Sequence, residues 1–405
     1  MNFLPPRLAP WRYQRGQRSL AANLAAAGVA AAQQDPTAGA TPSADVEEDD
    51  EEDYDVPEDI ELVLEQLLSR LGDKDTIVRW SAAKGVGRVT GRLPQALADE
   101  VVESLLDLFT IRQSDSSWHG GCLALAELGR RGLLLPARLK QVIGVVIRAL
   151  GYDEIRGSTS VGAHVRDAAS YVCWAFARAY DPSVLQDYVE ELAAQLLVTA
   201  LFDRENNVRR AAAAAFQENV GRLGTVPHGI AVIGIADYFS VGNRSHAYLE
   251  LAPQVAEFAE YRGPLLSHLC DVKLAHWDRD VREIAARSAG RLVVREPALA
   301  RAKLQSIVLI NALSIDLQAR HGATLAVGHI VAGLRTYQKE TAGGVADMAA
   351  EDAVEDAVED AFAGLQEEAL AAIANLLPRL EAARYLKGMG GALVHTAGEP
   401  WPGRC

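Results

Sequence analysis

From Ile60 onward, apolar residues return at helical spacing. Ile60, Leu62, Val63, Leu64, Leu67 and Leu68 form one stripe at the i, i+3, i+4, i+7 positions of an amphipathic helix. A second pattern follows and recurs: a small apolar residue, then Arg, then Ala three positions after the Arg. It occurs at Val78-Arg79 with Ala82, Val165-Arg166 with Ala169, and Val208-Arg209 with Ala212, then at Val281-Arg282 with Ala285 and Ala319-Arg320 with Ala323. Trp118-His119 with Cys122 is read as a sixth copy, with His in the Arg position. The anchors at 79, 119, 166, 209, 282 and 320 are separated by 40, 47, 43, 73 and 38 residues. Four of the five intervals, 38 to 47 residues, lie in or next to the repeat length of HEAT and armadillo helix pairs, about 40–47 residues. The 73-residue interval is expected to hold an extra helix and the loop Ser240–Ser245.

Each anchor is expected to open the second helix of a pair, with Ala one turn later permitting close helix approach. Asp75, Asp278 and Asp316 lie four residues before their Arg, where a carboxylate meets free N–H groups and the positive end of the helix dipole. Sustained period-two alternation is absent. The expected fold class is therefore all-α, a HEAT/armadillo-type α-solenoid of about six helix-pair repeats.

Flanking stretches have a different character. Residues 1–34 are assigned to a helix of a preceding repeat, 35–57 to an acidic disordered loop and 58–340 to the repeats. Residues 341–376 are assigned to an acidic low-complexity insert and 377–405 to a terminal helix with a divergent tail. The formal net charge of −14 is concentrated: twelve acids lie in 45–61 and nine in 347–368, with no Lys or Arg in either window. The remainder is net +7. A mildly basic body with acidic appendages suits an acidic protein partner at least as well as nucleic acid. The expectation is a protein partner, no nucleic acid and no membrane span. Opposite charges also suggest that 45–61 competes with such a partner for the basic body. Four arginines without acids in the first 34 residues imitate a transit peptide, although Phe3-Leu4-Pro5-Pro6 opens an amphipathic helix poorly.

No catalytic constellation emerges from the sequence. Cys122, Cys173, Cys270 and Cys405 are scattered without a CxxC, as in a reducing compartment. Gly85-Val86-Gly87-Arg88-Val89-Thr90-Gly91 misplaces the third glycine of a dinucleotide loop and lacks a preceding strand. His268, Cys270, His276 and Asp278 are close in sequence, but at no zinc spacing. Cys173 beside Trp174 reads as core. No cofactor is expected. The side chains chosen for partner contact are Arg209, Arg210, Arg282, Trp277 and Arg244.

Several segments together resemble the tubulin-folding cofactor D family, also called tubulin-specific chaperone D. They include Asp73–Gly85, Trp118–Gly129, Val165–Ala169, Phe216–Arg222 and Pro227–Ile230. Ala236–Phe239, Val241–Ser245, His276–Asp278 and, upstream, Trp11–Gly16 follow the same order. The resemblance covers roughly residues 5–335 and returns briefly at Tyr385–Gly391, so the chain looks like an internal portion of the cofactor. It implies a cytoplasmic, cytoskeleton-associated, non-enzymatic chaperone scaffold that binds β-tubulin. Such a scaffold would assemble or dissociate the αβ-tubulin heterodimer with cofactors C and E and an Arf-like small GTPase, whose GTP hydrolysis it would stimulate. An importin-like HEAT-repeat adaptor, or a small-GTPase regulator without tubulin contact, stands as the alternative.

Overall fold

The computed structural model describes residues 56–157, 159–343, 365–387 and 391–398. All but the last two residues of the acidic loop and most of the acidic insert lie outside them. Two compact units are present. Among the described residues, the first comprises 56–154 with Val161–Ala200 and Asn207–Ile233; the second comprises Ile155–Ser160, Leu201–Asn206 and the described residues from Gly234 onward.

Through residue 223 the chain alternates first and second helices. They are α1 (Glu58–Arg70), α2 (Thr76–Thr90), α3 (Gln95–Leu106), α4 (Asp115–Arg130), α5 (Leu139–Leu150), α6 (Ala163–Ala179), α7 (Val189–Phe202) and α8 (Asn206–Leu223). Two three-residue strands, β1 (Glu154–Arg156) and β2 (Thr159–Val161), pair between α5 and α6. Next come α9 (Gly229–Ile235) and a composite helix built from Arg244–His246, a π turn at Ala247–Leu251, and Ala252–Val255. Then follow α10 (Ala259–Asp271), α11 (Arg279–Leu292), a second composite over 297–311 with a π turn at Leu304–Val308, and α12 (Leu317–Gly343). The C-terminal elements are α13 (Glu367–Ala374), α14 (Leu376–Ala382) and α15 (Gly391–Gly398). Thus α13 forms inside the stretch read as low-complexity insert.

Local chemistry starts the second helices where the sequence indicates. Asp75 caps α2 by accepting from Ile77 N at 2.7 Å. Asp278 caps α11 through Asp280 N at 3.0 Å, and Asp316 accepts from Gln318 N at 3.1 Å. A cap of this kind stabilises its helix by about 1 kcal/mol. The first helices bury an apolar stripe, clearest in α5, where Leu139, Val142, Ile143, Val146, Ala149 and Leu150 are buried.

The long interval proves to contain a repeat without an anchoring Arg. Its composite helix Arg244–Val255 packs on α11 as one second helix does on the next, with Ser288 Oγ donating to Tyr248 O at 2.7 Å.

The anchor arginines are interior groups. Arg79 donates through Nη1 to Asp73 O (2.7 Å) and Lys74 O (3.0 Å), tying its own turn together. Arg282 does the same to His276 O and Trp277 O, and Arg320 to Ser314 O and Ile315 O. Each bond satisfies a carbonyl that the interhelical turn leaves unpaired. The Nε then reaches the next second helix, from Arg79 to His119 Nδ1 at 2.9 Å and from Arg282 to His321 Nδ1 at 3.1 Å.

This geometry corrects the register of the sixth anchor. His119 corresponds to His321, one residue after the Arg position, so Trp118 is the true counterpart of Arg320. The Trp118 indole N–H donates to Thr110 O at 3.1 Å, doing for its turn what the guanidinium does elsewhere. The glycines that follow confirm the alignment. A Cβ on Gly120 would lie 2.0 Å from Leu71 O, and one on Gly322 would lie 1.8 Å from Leu274 O. Only Gly lets these second helices press against the end of the first helix of the preceding pair.

A candidate partner-binding face

Of the five side chains chosen from sequence, two are placed differently from expectation. Arg209 and Arg282 are only 2% and 3% exposed, so their role is structural. A guanidinium that closes a turn inside the stack cannot also be offered to a partner. Arg210 is half-buried. Arg244 and Trp277 are brought together around Asp278 in the second unit. Arg204 lies over the Trp277 ring at 4.8 Å and donates through Nε to Asp278 Oδ2 at 2.8 Å. The Arg244 guanidinium approaches the same carboxylate at 3.9 Å. The indole also stacks on His276, and its N–H donates to Ser160 Oγ at 2.8 Å. Although burial alone would raise it, Asp278 is held below its ordinary pKa by the Arg204 bond, the Asp280 amide and the nearby charges of Arg204 and Arg244.

A different group, missed in the sequence reading, occupies the second helices of the first unit. Trp80 on α2 meets Tyr171 on α6 at 5.8 Å between ring centroids. Tyr171 stacks on Trp174 at 5.7 Å and 18°. Cations sit at both ends, Lys84 over Trp80 at 5.8 Å and Arg178 over Trp174 at 4.6 Å. Arg178 and Arg222 share Glu218, each at 2.9 Å. Helix α4 packs between α2 and α6, and the ring contact joins its two flanking helices. This arrangement explains why every α4 residue from Ser117 to Gly129 is buried. Trp174 is half-exposed, whereas the neighbouring Cys173 is core. The legible signal was the spacing Asp167, Tyr171, Trp174, Arg178, a helical stripe distinct from the core stripe.

Charge is segregated between the two kinds of helix in this unit. The second helices α2, α4, α6 and α8 contain nine Arg or Lys against four Asp or Glu. The first helices α1, α3, α5 and α7 contain three against nine.

The polar groups that suggested chemistry have ordinary employment. His268 is half-buried and stacks on Phe202 at 6.2 Å. His276 Nδ1 accepts the Asp278 amide at 3.0 Å, and burial and then Lys273 hold its pKa down to about 3. Burial pushes the thiols of Cys173 and Cys270 up to about 12, which leaves them poor nucleophiles. Among the described residues no group of three metal-ligating side chains forms, and no helix is long and apolar enough to cross a membrane.

These features define a helical-repeat protein of the HEAT/armadillo class, with interior guanidinium–imidazole junctions and aromatic, cation-rich second helices. Residues 1–230, more than half of the chain, match the family model described as tubulin-specific chaperone D-like, ARM repeats, and the chain belongs to that family. It is 43% identical over 271 residues to tubulin-specific chaperone D of Dictyostelium discoideum, covering 65% of this chain and 18% of that protein. It is 34% identical over 252 residues to tubulin-folding cofactor D of Schizosaccharomyces pombe, covering 59% and 23%. The chain therefore spans about a fifth of the length of these curated relatives. Among solved structures, Kap121p bound to Ste12p aligns with a TM-score of 0.33 and 14% identity, covering 85% of this chain and 37% of that one. A score that low carries no functional argument.

Proposed function

We propose that this chain is part of a tubulin-folding cofactor that holds tubulin as a scaffold and does no covalent chemistry of its own. The observation that carries the reading is the family match over residues 1–230, joined to two relatives that bear this role in their names. In detail, the chain binds β-tubulin and takes part in assembly and dissociation of the αβ heterodimer in the cytoplasm, at the cytoskeleton. Cofactors C and E and an Arf-like small GTPase act with it, and it promotes GTP hydrolysis by a partner. Exposed Trp, Tyr and Arg supply most of the binding energy in typical protein interfaces. The half-exposed Trp80, Tyr171, Trp174 and Arg178 support a holding surface of that kind. Arg210, Arg244 and Trp277 are further contacts in this proposal.

The test is co-elution of the purified chain with αβ-tubulin by size-exclusion chromatography at low and high salt. The expected result is a complex that forms at low salt and weakens as salt rises. A folded helical chain that elutes apart from tubulin at both salts overturns the reading.

A further inference from the structure

We propose that the second-helix face of the first unit, centred on Trp80, Tyr171 and Trp174, is the docking surface for an acidic polypeptide segment of the bound partner. The inference deepens the holding role proposed above and rests on it only for the partner's identity.

Two independent observations converge on this face. The first is the charge segregation: with the interior Arg79, Arg166, Arg209 and Glu127 set aside, the second helices keep six cations against three acids, and the first helices of the same unit carry three against nine. An acidic segment is thus drawn to one side of the unit and repelled from the other. Two of the acids on the favourable side are already paired. Glu127 is 2% exposed and paired with both Arg130 and Arg131. Glu218 is shared by Arg178 and Arg222. Lys84, Arg88 and Arg130 by contrast are exposed.

The second observation is the aromatic row. Its rings are half-exposed although Ser117–Gly129 of α4 beneath them are buried. They offer rigid apolar area between cations, so a segment alternating carboxylates with apolar side chains finds both kinds of contact in register. Lys84, four residues after Trp80, and Arg178, four after Trp174, mark the two ends of that register.

The chemistry is tested on the full chain with a fifteen-residue polyglutamate peptide, a polyglutamine peptide of equal length as control, and tryptophan fluorescence as readout. Polyglutamate should bind with salt-sensitive affinity and perturb the emission, and polyglutamine should not. The exposed triple reversal Lys84→Glu, Arg88→Glu, Arg130→Glu should weaken polyglutamate binding about tenfold or more, the scale expected when several steering charges are reversed. The first-helix control Lys140→Glu, Arg148→Glu, also at exposed positions, should change it less than about twofold. Circular dichroism confirms that both variants remain folded. Equal losses in the two variants, or equal binding of the two peptides, overturn the proposal. Tubulin co-elution with no polyglutamate binding leaves the holding role standing and sinks the acidic segment. Polyglutamate binding without tubulin co-elution does the reverse.

Discussion

Two junctions at the ends of α12 and α11 use the same arginine with different neighbours. At the first, Arg282 closes its own turn and donates Nε to His321 on the next second helix at 3.1 Å. At the second, Arg320 closes its turn in the same way, but no histidine follows. Its Nε is buried without a hydrogen-bond partner, and the Tyr385 ring lies 3.9 Å from the guanidinium. Tyr385 is put there by the end of α14. Arg384 takes a left-handed conformation (φ 58°) and Tyr385 N donates back to Leu380 O at 2.9 Å, a Schellman-type close. The difference shows what a repeat requires of its successor. Each anchor needs an acceptor for one N–H and a cover for its charge. An aromatic face supplies the cover but accepts the N–H only poorly.

The largest expected effect comes from acid, because only one junction titrates. Burial, and then the facing arginine, hold the pKa of His119 down to about 3 and that of His321 down to about 4. In the unfolded chain they titrate near 6.5. Folded values below unfolded ones mean that the unfolded state binds more protons as pH falls. The stabilisation is therefore complete above pH 6.5 and is lost progressively toward pH 4. Each pH unit in that window removes about 1.4 kcal/mol per histidine. Hydrogen exchange at pH 5 against pH 7.5 should show faster opening at the start of α12, with residues 376–387 changing less. Equal acceleration of both regions would break the distinction between the junctions.

Next in size is His321→Leu, which leaves the buried Arg282 Nε without its acceptor. It should lower the unfolding free energy by about 3 kcal/mol, the range for orphaning a buried charged donor. Tyr385→Leu should have the smallest effect, about 1 kcal/mol, since it removes a cation–π contact and no hydrogen bond. Urea unfolding followed by circular dichroism measures both. If Tyr385→Leu costs as much as His321→Leu, the ring is as good a neighbour as the imidazole and the contrast fails.

Much of the fold was legible because it is written in local chemistry. Asp75, Asp278 and Asp316 announce helix starts through their own carboxylates, and the Ala three residues after each Arg marks a close packing position. What escaped was decided across about forty residues of chain. His119 looked like an Arg substitute until its bond to Arg79 showed it to be the partner of one. The repeated His-Gly at 119–120 and 321–322 was the available clue. Arg209 and Arg282 looked like surface charge because arginine is mostly exposed, and only the turn carbonyls beside Arg282 explain why a guanidinium is tolerated inside.

By itself, then, the sequence determined the all-α class, the repeat spacing and the helix starts, because periodicity, capping and turn chemistry act within a few residues. The tertiary structure decided which cations are interior, where the repeat without an anchoring arginine lies, and that Trp80, Tyr171 and Trp174 form one row. Those facts depend on which second helix lies beside which, and stacking brings together side chains that the chain separates by one or two whole repeats.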